Sequence, residues 1–392
     1  QAQLAIQTHA PEFTPKSVAL RDLAGCVLAE TIAMERDQPP FNRVTMDGIA
    51  VNSRANTRAF RSIGIQAAGS PPLTLTSAED CIEVMTGAEL PAGCDCVIPI
   101  EHTTRNKPYL QLLDKVVLTA GLNIHPQGSD AQQGQPILQS GTRLSATEIA
   151  ILASAGHSHV RVRQSPRIAL VSTGNELVEP GQPIERWQVR RSNIYAIHSA
   201  LQQHQHHFIV DRHVKDDRTE MRHALDQLLQ EHEVLIICGG VSMGQFDFVP
   251  QILTELGIQC IFHQVAQRPG KPMWFGVRHD GKTVYALPGN PVSSLVCLHR
   301  YVLPGLLHSM GQRPDEPEWI SLTDSVLSHS ELTVFLPVHL SQHHGHIQAE
   351  PRPTRGSGDF ISLLGTDGFV ELTPTSGGIE AGTEVPLYRW AK

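Results

Sequence analysis

The segment from Gly239 to Phe248, GGVSMGQFDF, combines residue types that can bind an anion and a metal ion. Gly239 and Gly240 let a ligand approach the backbone closely, and Ser242 adds a hydroxyl. The carboxylate of Asp247 repels phosphate unless a metal ion lies between them. The segment therefore predicts a metal-bridged phosphate or oxyanion site. The alternative is an ordinary strand-to-helix turn in which Asp247 caps the helix.

A second candidate is the turn QRPGKPM, residues 267–273, in which Arg268 and Lys271 flank a Pro-Gly pair. Arginine binds two oxygens of an anion at once, and lysine supplies a compact positive charge. Two rigidly held cations therefore suit a tetrahedral oxyanion. A basic turn exposed to solvent is the equally weighted alternative.

These residues need a scaffold, and the chain from Arg167 onward predicts one. Short apolar runs such as VLIIC, residues 234–238, alternate with helical patterns over residues 192–203 and 219–232. This alternation predicts a doubly wound parallel sheet that binds ligands over the carboxyl ends of its strands. The strand ends supply further candidates: Ser172, Thr173, Gly174, Asn175, Glu176, Asp216, Asp217, Pro288, Gly289, Asn290, Pro291 and Ser293.

Two helix starts in this part have purely structural interpretations. Asp217 and Glu220 fit a helix capping pair, which is an alternative to a ligand role for Asp217. Asn290 and Pro291 predict the amino-terminal cap and first position of an apolar helix that reaches Leu307.

The segments on either side predict β-structure. Residues 60–120 alternate short β-rich runs with Gly and Pro turns, which predicts a small all-β module. Asp47, Thr86 and Asp130 lie in turns of this part of the chain. Such turns usually only connect strands, and for Asp47 taken alone a turn is favoured over a site.

The two ends of the chain carry fewer candidates. Residues 17–31 predict a short helix, a turn at Gly25 and a strand. Beyond residue 314 the pattern predicts a β-barrel-like domain. Its best-placed residue for contacting a ligand is Ser357, which lies between two glycines.

Composition limits the function classes. The formal net charge of -8 gives no basic surface for nucleic acid or anionic membrane, so an anionic ligand needs a local arrangement of residues. The 7 cysteines show no disulfide framework, and no apolar stretch approaches membrane-spanning length. We therefore expect a cytoplasmic protein.

Histidines form two clusters, one at His204, His206 and His207 and one at residues 343, 344 and 346. Neither cluster has a helical i, i+4 pair with a carboxylate, and both flank glutamines. Solvated histidines are therefore favoured over metal ligands.

The motifs together resemble one family, the MoeA molybdopterin molybdenumtransferases, which are related to the E domains of plant Cnx and animal gephyrin. The resemblance spans nearly the whole chain and depends on the order of PPFNRVTMDGIAV, MTGAELPAGCDCVIP, LVSTGNELVEPGQP, GGVSMGQFDF, RPGKP and LPGNPVSS. It implies an elongated multidomain α/β plus β subunit: domain I of residues 1–38 and 131–165, an inserted β-rich domain II of residues 39–130, an α/β molybdopterin-binding domain III of residues 166–314 and a β domain IV of residues 315–392.

The resemblance also implies the reaction and the partners. The family inserts molybdate into adenylylated molybdopterin and releases AMP, with a divalent metal such as Mg²⁺. The subunits form a homodimer with a shared active site, and a molybdopterin adenylyltransferase is a possible partner that supplies the substrate.

Carried over position by position, the resemblance assigns the site. The catalytic residues are Asp247, Asp216, Glu176, Asp47, Thr86 and Asp130, of which Asp247, Asp216 and Glu176 hold the metal. Gly239, Gly240 and Ser242 contact phosphate, and Ser172, Thr173, Gly174, Ser192 and Asn193 line the same cleft. The molybdate pocket is expected at Arg268, Lys271, Pro272, Ser293 and Ser357, and Pro288 and Pro291 are further expected cofactor-binding residues.

Four positions depart from the family pattern. His125 replaces an arginine, Arg268 replaces a lysine, Arg191 replaces an acidic residue, and Pro337 lies where the terminal domain usually supplies an arginine. Two alternatives therefore stay open: a molybdopterin-binding scaffold that has lost catalysis, and an enzyme that inserts tungstate.

Overall fold

A computed structural model describes residues 1–106, 108–241, 248–312, 316–329, 331–343 and 345–391 of the protein. The chain divides into two compact units. The first contains residues 1–30, 140–149 and 159–392, and the second contains residues 31–139 and 150–158. The helix Ala146–Ser154 contains one of these boundaries.

The centre of the first unit is a six-stranded sheet, counted over the described residues. Four neighbouring strands are parallel, and three of them are buried along their whole length, as the apolar runs predict. Two further strands extend one edge through antiparallel pairings. In spatial order the strands are Ile209–Val214, Ile168–Thr173, Val234–Cys238, Thr283–Leu287, Trp274–Val277 and Gln259–His263. The antiparallel strand Trp274–Val277 was not predicted from the sequence.

Helices cover both faces of this sheet, which confirms the doubly wound arrangement. Ala2–His9, Ser192–Gln203 and the helical stretch after Asn290 pack on one face. Arg218–Glu231 and Val249–Glu255 pack on the other. The predicted helix from Pro291 towards Leu307 has three parts: Pro291–Cys297, a π-helical turn Leu298–Val302, and Leu303–Ser309.

The two capping predictions have different outcomes. The Asp217 side chain accepts a hydrogen bond from the Glu220 amide at 2.8 Å, so the predicted cap is present. Asn290 precedes the next helix, but its side chain makes no capping hydrogen bond. The predicted positions of Asn290 as the N-cap and Pro291 at the start of the helix are confirmed, but the Asn290 side chain does not contribute a capping bond.

The predicted helix before Gly25 is also wrong. Lys16–Ala19 is a strand that pairs with His159–Arg163, and only a 3-10 turn, Leu20–Asp22, follows it. The strand Val27–Leu28 completes this three-stranded sheet. The strand forms despite the local helical pattern because pairing with the neighbouring strand buries Val18.

The C-terminal part of the first unit is a β-barrel, as predicted. Five of the described strands close a ring, since the last strand pairs with the first. In order around the barrel they are Thr333–His343, His346–Pro351, Glu318–Leu322, Glu384–Arg389 and Gly368–Leu372. A small sheet of Val326–Leu327 and Gly378–Ile379 and a 3-10 turn, Ile361–Leu363, lie beside it.

The barrel packs directly on the helix that follows Asn290. Phe369 is fully buried and contacts the rings of Phe335, Tyr388 and Trp390. The same apolar cluster includes Val292 and Val296 of that helix. This shared core fixes the barrel against the α/β sheet.

The second unit is the predicted β module. A six-stranded sheet, again counted over described residues, contributes to two apolar clusters. In order its strands are Cys96–Pro99, Gly48–Val51, Asp80–Val84, Ala59–Gln66, Tyr109–Leu112 and Thr103–Asn106. Two short pairs, Ile124–His125 with Arg43–Val44 and Pro136–Leu138 with Ile32–Ala33, and a 3-10 turn, Ile100–His102, complete it.

One histidine cluster differs from the expectation of solvated side chains. His206 is buried, its Nδ1 lies 2.7 Å from Ser165 Oγ, and burial lowers the pKa of the ring to about 3. His207 is exposed. None of the helices in the described ranges has the length and apolar character that a membrane span requires.

The shared core gives a stability prediction. We expect Phe369→Ala to lower the free energy of unfolding of the barrel by about 3–5 kcal/mol, because it removes a fully buried ring from a packed aromatic cluster. Phe208→Ala is the matched control, since Phe208 is 56% exposed. Urea titration followed by tryptophan fluorescence measures both, and equal effects would contradict the packing described here.

Candidate active site

A cavity of about 1260 Å³ opens at the carboxyl ends of the parallel strands in the first unit. Its wall combines strand ends, the basic turn and a loop of the barrel. Of the residues predicted from the sequence, it contains Ser172, Thr173, Gly174, Glu176, Ser192, Asn193, Asp216, Gly239, Gly240, Arg268, Lys271, Pro272, Pro288, Pro291, Ser293 and Ser357.

Glycine is required where two strand ends meet. Gly239 and Gly240 have φ angles of 102° and 69°, which L side chains rarely adopt. A Cβ at Gly239 would lie 2.9 Å from Thr173 Oγ1, and one at Gly240 would lie 2.7 Å from Val249 Cγ2. The bare backbone therefore forms this wall of the cavity.

Two carboxylates occupy the neighbouring strand ends. Asp216 accepts a hydrogen bond from the Asn175 amide at 3.2 Å, and its own amide donates to Asn175 Oδ1 at 3.2 Å. This reciprocal pair fixes the loops after two adjacent strands. The Glu176 carboxylate lies over Gly174, where a Cβ would come within 2.6 Å of it.

The basic turn supplies the opposite charge. Arg268 and Lys271 are exposed and line the cavity. Neither side chain has a hydrogen-bonded or ion-paired partner among the described residues. Charged side chains without protein partners are available to an anionic ligand. The acids and the cations thus lie on the wall of one cavity.

The barrel contributes one loop to the same wall. Ser357 Oγ accepts a hydrogen bond from Asn290 Nδ2 at 2.7 Å, and the Ser357 carbonyl accepts one from the Val292 amide at 3.1 Å. Asn290 therefore connects the barrel loop to the start of the helix. The sequence predicted Asn290 as a cap and as a candidate at the strand end, but not its bond to Ser357, because this partner is 67 residues away.

Arg191, the charge-inverting departure, is compensated inside the protein. Its guanidinium is 9% exposed and donates to Glu179 Oε2 at 2.6 Å and to Asp211 Oδ1 at 2.7 Å. The Tyr195 hydroxyl and then Arg191 hold the pKa of the Glu179 carboxyl below its usual range. The extra positive charge is therefore matched by two acids.

Arg191 also fixes a predicted ligand residue. Its Nε donates to Ser172 Oγ at 3.0 Å, and Ser172 Oγ lies 3.0 Å from His213 Nδ1. Burial, followed by the charge of Arg191, lowers the pKa of His213. Ser172 is 2% exposed, and its hydroxyl contacts Arg191 and His213 inside the protein.

The second unit holds the other three predicted catalytic residues. Asp47 Oδ1 accepts hydrogen bonds from the amide and the hydroxyl of Thr86, both at 2.7 Å. The amide first and the hydroxyl second lower the pKa of Asp47. Two turns 39 residues apart in sequence thus form one exposed anionic site.

Asp130 belongs to a separate chain of contacts. His125 Nε2 lies 2.7 Å from Asp130 Oδ1, and Arg43 Nη2 lies 2.9 Å from His125 Nδ1. Because arginine only donates, His125 accepts at Nδ1 and donates from Nε2 to Asp130. The departure at His125 therefore places a hydrogen-bond relay, rather than a direct arginine contact, beside Asp130.

Two predicted residues, Ser242 and Asp247, lie outside the described part of the chain. Within the described part, no group of three His, Cys, Asp or Glu side chains is arranged to hold a metal ion. Glu176 and Asp216 supply the carboxylate oxygens that Mg²⁺ prefers, so the donor chemistry on this wall fits that ion.

The fold and the cavity define a multidomain α/β protein with a cavity over the ends of its parallel strands, where proteins of this architecture bind their ligands. Three family models match it: the MoeA N-terminal region (domain I and II) over residues 1–156, a probable molybdopterin binding domain over 169–308, and the MoeA C-terminal region (domain IV) over 320–390.

Individual relatives agree. The molybdopterin molybdenumtransferase of Synechocystis sp. is 41% identical over 98% of this chain and 97% of its own length, and that of Synechococcus elongatus is 32% identical over 94% and 93%. Two crystal structures of the molybdopterin biosynthesis MoeA protein from Pyrococcus horikoshii match with TM-scores of 0.81 and 0.80 at 29% and 25% identity. They cover 100% and 99% of this chain and 98% of each matched chain.

The chain therefore belongs to the MoeA family of molybdenum cofactor biosynthesis. The predicted resemblance and the predicted fold class are both confirmed.

The ion pairs of Arg191 give a second prediction. We expect Arg191→Met to lower the thermal unfolding midpoint by roughly 2–4 °C, because it removes the counterion of Asp211 and Glu179 and a contact to Ser172. Arg212→Met is the matched control, since Arg212 is exposed on the strand that carries Asp211. Differential scanning calorimetry compares them, and an unchanged midpoint for Arg191→Met would show that the ion pairs are not needed.

Proposed function

We propose that this protein is a molybdopterin molybdenumtransferase that inserts molybdate into adenylylated molybdopterin, hydrolyses the phosphoanhydride and releases AMP and molybdenum cofactor. The observation that carries the proposal is the single cavity whose wall has carboxylates at Glu176 and Asp216 and unpaired cations at Arg268 and Lys271. The named relatives support the same activity.

The basic turn is the proposed molybdate end of the cavity. Arg268 and Lys271 provide two positive charges for a tetrahedral dianion. Pro272, Pro288 and Pro291 shape the wall. The hydroxyls of Ser293 and Ser357 lie on the same wall, where they can replace hydration of the oxyanion.

The proposed nucleotide end of the cavity consists of the strand ends at Thr173 and Gly174 and the glycine pair that begins at Gly239. The bare backbone at Gly239 and Gly240 allows phosphate oxygens to approach closely, with Ser242 as a further donor. Ser192 and Asn193 lie on the same wall, and Asn193 Nδ2 donates to the Gly289 carbonyl at 2.7 Å, which fixes the adjoining loop.

Glu176, Asp216 and Asp247 are the proposed ligands of Mg²⁺. The bound ion supplies charge neutralisation and polarisation at the phosphoanhydride. The chain's own contribution is to hold the two described carboxylates on the wall of the phosphate site, with Asp216 fixed by its reciprocal bonds to Asn175.

The activity assay gives a third prediction. Purified protein incubated with adenylylated molybdopterin, molybdate and Mg²⁺ should release AMP, measured by chromatography. Lys271→Ala should raise the KM for molybdate about tenfold or more, because it removes one of two cations from the oxyanion site. Lys115→Ala, an exposed lysine of the second unit, is the matched control.

The same assay separates the alternatives. If the protein binds the pterin but releases no AMP with any divalent metal tested, it is a molybdopterin-binding scaffold and not the proposed enzyme. Competition by tungstate at equal concentration shows whether the site prefers the other oxyanion.

We further propose a cytoplasmic homodimer with a shared active site, supplied by a molybdopterin adenylyltransferase. Asp47, Thr86 and Asp130 are exposed in the second unit, and they are the residues proposed to complete the cleft of a partner subunit. The four-domain division of the subunit also stays a prediction.

Subunit mixing gives a fourth prediction. A heterodimer that combines an Asp47→Asn subunit with a Lys271→Ala subunit should regain about half of wild-type activity, because one of its two sites contains both native residues. The two subunits carry different affinity tags, so the heterodimer can be purified. Activity no higher than that of either variant homodimer would contradict a site shared between subunits.

A further inference from the structure

Gln267 is a buried amide directly under the basic turn. Its side chain is shielded, with the residue 2% exposed, although it precedes two exposed cationic positions. Its Nε2 donates to the carbonyls of Pro269 and Gly270 at 3.2 Å and 3.3 Å. One side chain thus satisfies two consecutive backbone carbonyls of the turn that carries Arg268 and Lys271.

The turn has little freedom around this amide. Gly270 has a φ of 95°, and a Cβ there would lie 2.6 Å from Gln267 Nε2 and 2.7 Å from Cys297 Sγ. The carbonyls of the turn face the interior, where an unsatisfied acceptor costs about 1–3 kcal/mol. Without the amide, the backbone must turn these carbonyls towards water and move the adjoining cations.

Tyr301 holds the amide in this orientation. Its hydroxyl donates to Gln267 Oε1, so the carbonyl end of the amide is occupied and the NH₂ end points to the turn. Tyr301 lies on the π-helical turn Leu298–Val302, a type of turn often found at functional sites. The neighbouring Arg300 pairs with Glu371 of the barrel at 2.8 Å, which anchors this turn.

A backbone ladder holds the turn from the other side. Gln267 and Arg268 pair in parallel with Thr333 and Val334 of the barrel. Arg268 is therefore fixed by main-chain bonds, and the Lys271 carbonyl accepts hydrogen bonds from the amides of Val265 and Met273, both at 2.9 Å. Between these two anchors, the carbonyls of Pro269 and Gly270 are held by the amide of Gln267, and the Cys297 thiol also lies 3.7 Å from the Gly270 carbonyl.

We propose that Gln267, oriented by Tyr301, is a positioning residue that holds the Arg268–Lys271 turn in the shape that binds a tetrahedral oxyanion. Neither side chain needs to touch the anion. The inference rests on the proposed function only in taking this turn as the oxyanion site.

The chemistry of the side chain explains the choice of variants. Gln267→Glu keeps the size and an acceptor for Tyr301 but replaces the two N–H donors by an oxygen that repels the carbonyls of Pro269 and Gly270. Tyr301→Phe keeps the buried ring and removes only the hydroxyl. Gln259→Glu, at an exposed position of the central sheet, is the matched control for the change of amide to acid.

The fifth prediction concerns binding rather than turnover. Equilibrium dialysis with labelled molybdate should show that Gln267→Glu, which removes two hydrogen bonds, raises the Kd about tenfold. Tyr301→Phe, which removes one hydrogen bond, should raise the Kd about threefold. The Kd for AMP should not change in either variant, because the nucleotide end is built from other strand ends. Gln259→Glu should match wild type for both ligands.

The outcomes separate the two proposals. If folded Gln267→Glu and Tyr301→Phe both bind molybdate with the Kd of wild type, the positioning role is wrong and the proposed function is unaffected. A parallel loss of molybdate and AMP binding also overturns the positioning role, since the role is then general stability. No molybdate binding by wild type overturns the oxyanion site itself. If Gln267→Glu does not fold, Tyr301→Phe decides, because it leaves the packing of the ring unchanged.

Discussion

The close approach of backbone segments at the carboxyl edge of the central sheet is the constraint on which the cavity depends. Gly239 follows one strand and lies against Thr173 at the end of its neighbour, and its amide donates to the Leu287 carbonyl on the other side at 3.1 Å. Any side chain at Gly239 would fill this space and separate the strand ends. Because Gly239 has no side chain, the strand ends can touch, and the bare backbone forms a wall that a ligand can approach.

Charge is distributed around this wall by the same architecture. The carboxylates of Glu176 and Asp216 follow adjacent parallel strands, whereas Arg268 and Lys271 come from a turn that leads into the antiparallel strand Trp274–Val277. Arg191 adds a positive charge at the base of the site, but Asp211 and Glu179 neutralise it locally. The free charges on the cavity wall are thus segregated into an acidic and a basic part.

The barrel is part of the same construction. It shares the apolar cluster around Phe369 with the helix that begins after Asn290. Its strand Thr333–His343 also pairs with Gln267 and Arg268. The Asn290–Ser357 contact adds a polar link at the rim of the cavity. The position of the basic turn is therefore decided jointly by the α/β sheet, the π-helical turn and the barrel.

The sequence by itself determined the alternation of strands and helices after Arg167, the β character of both other parts, and the glycine and charged residues of the cavity, because these depend on local periodicity and residue type. It failed where partners are distant in sequence. The strand Lys16–Ala19 forms by pairing with His159–Arg163, and the side chain of the N-cap Asn290 bonds Ser357 of the barrel. Arg191 could be seen as a changed charge, but only the fold brings Asp211 and Glu179 to neutralise it. Gln267 carried no sequence signal, since its role comes from burial beneath the basic turn and from Tyr301, 34 residues further along the chain.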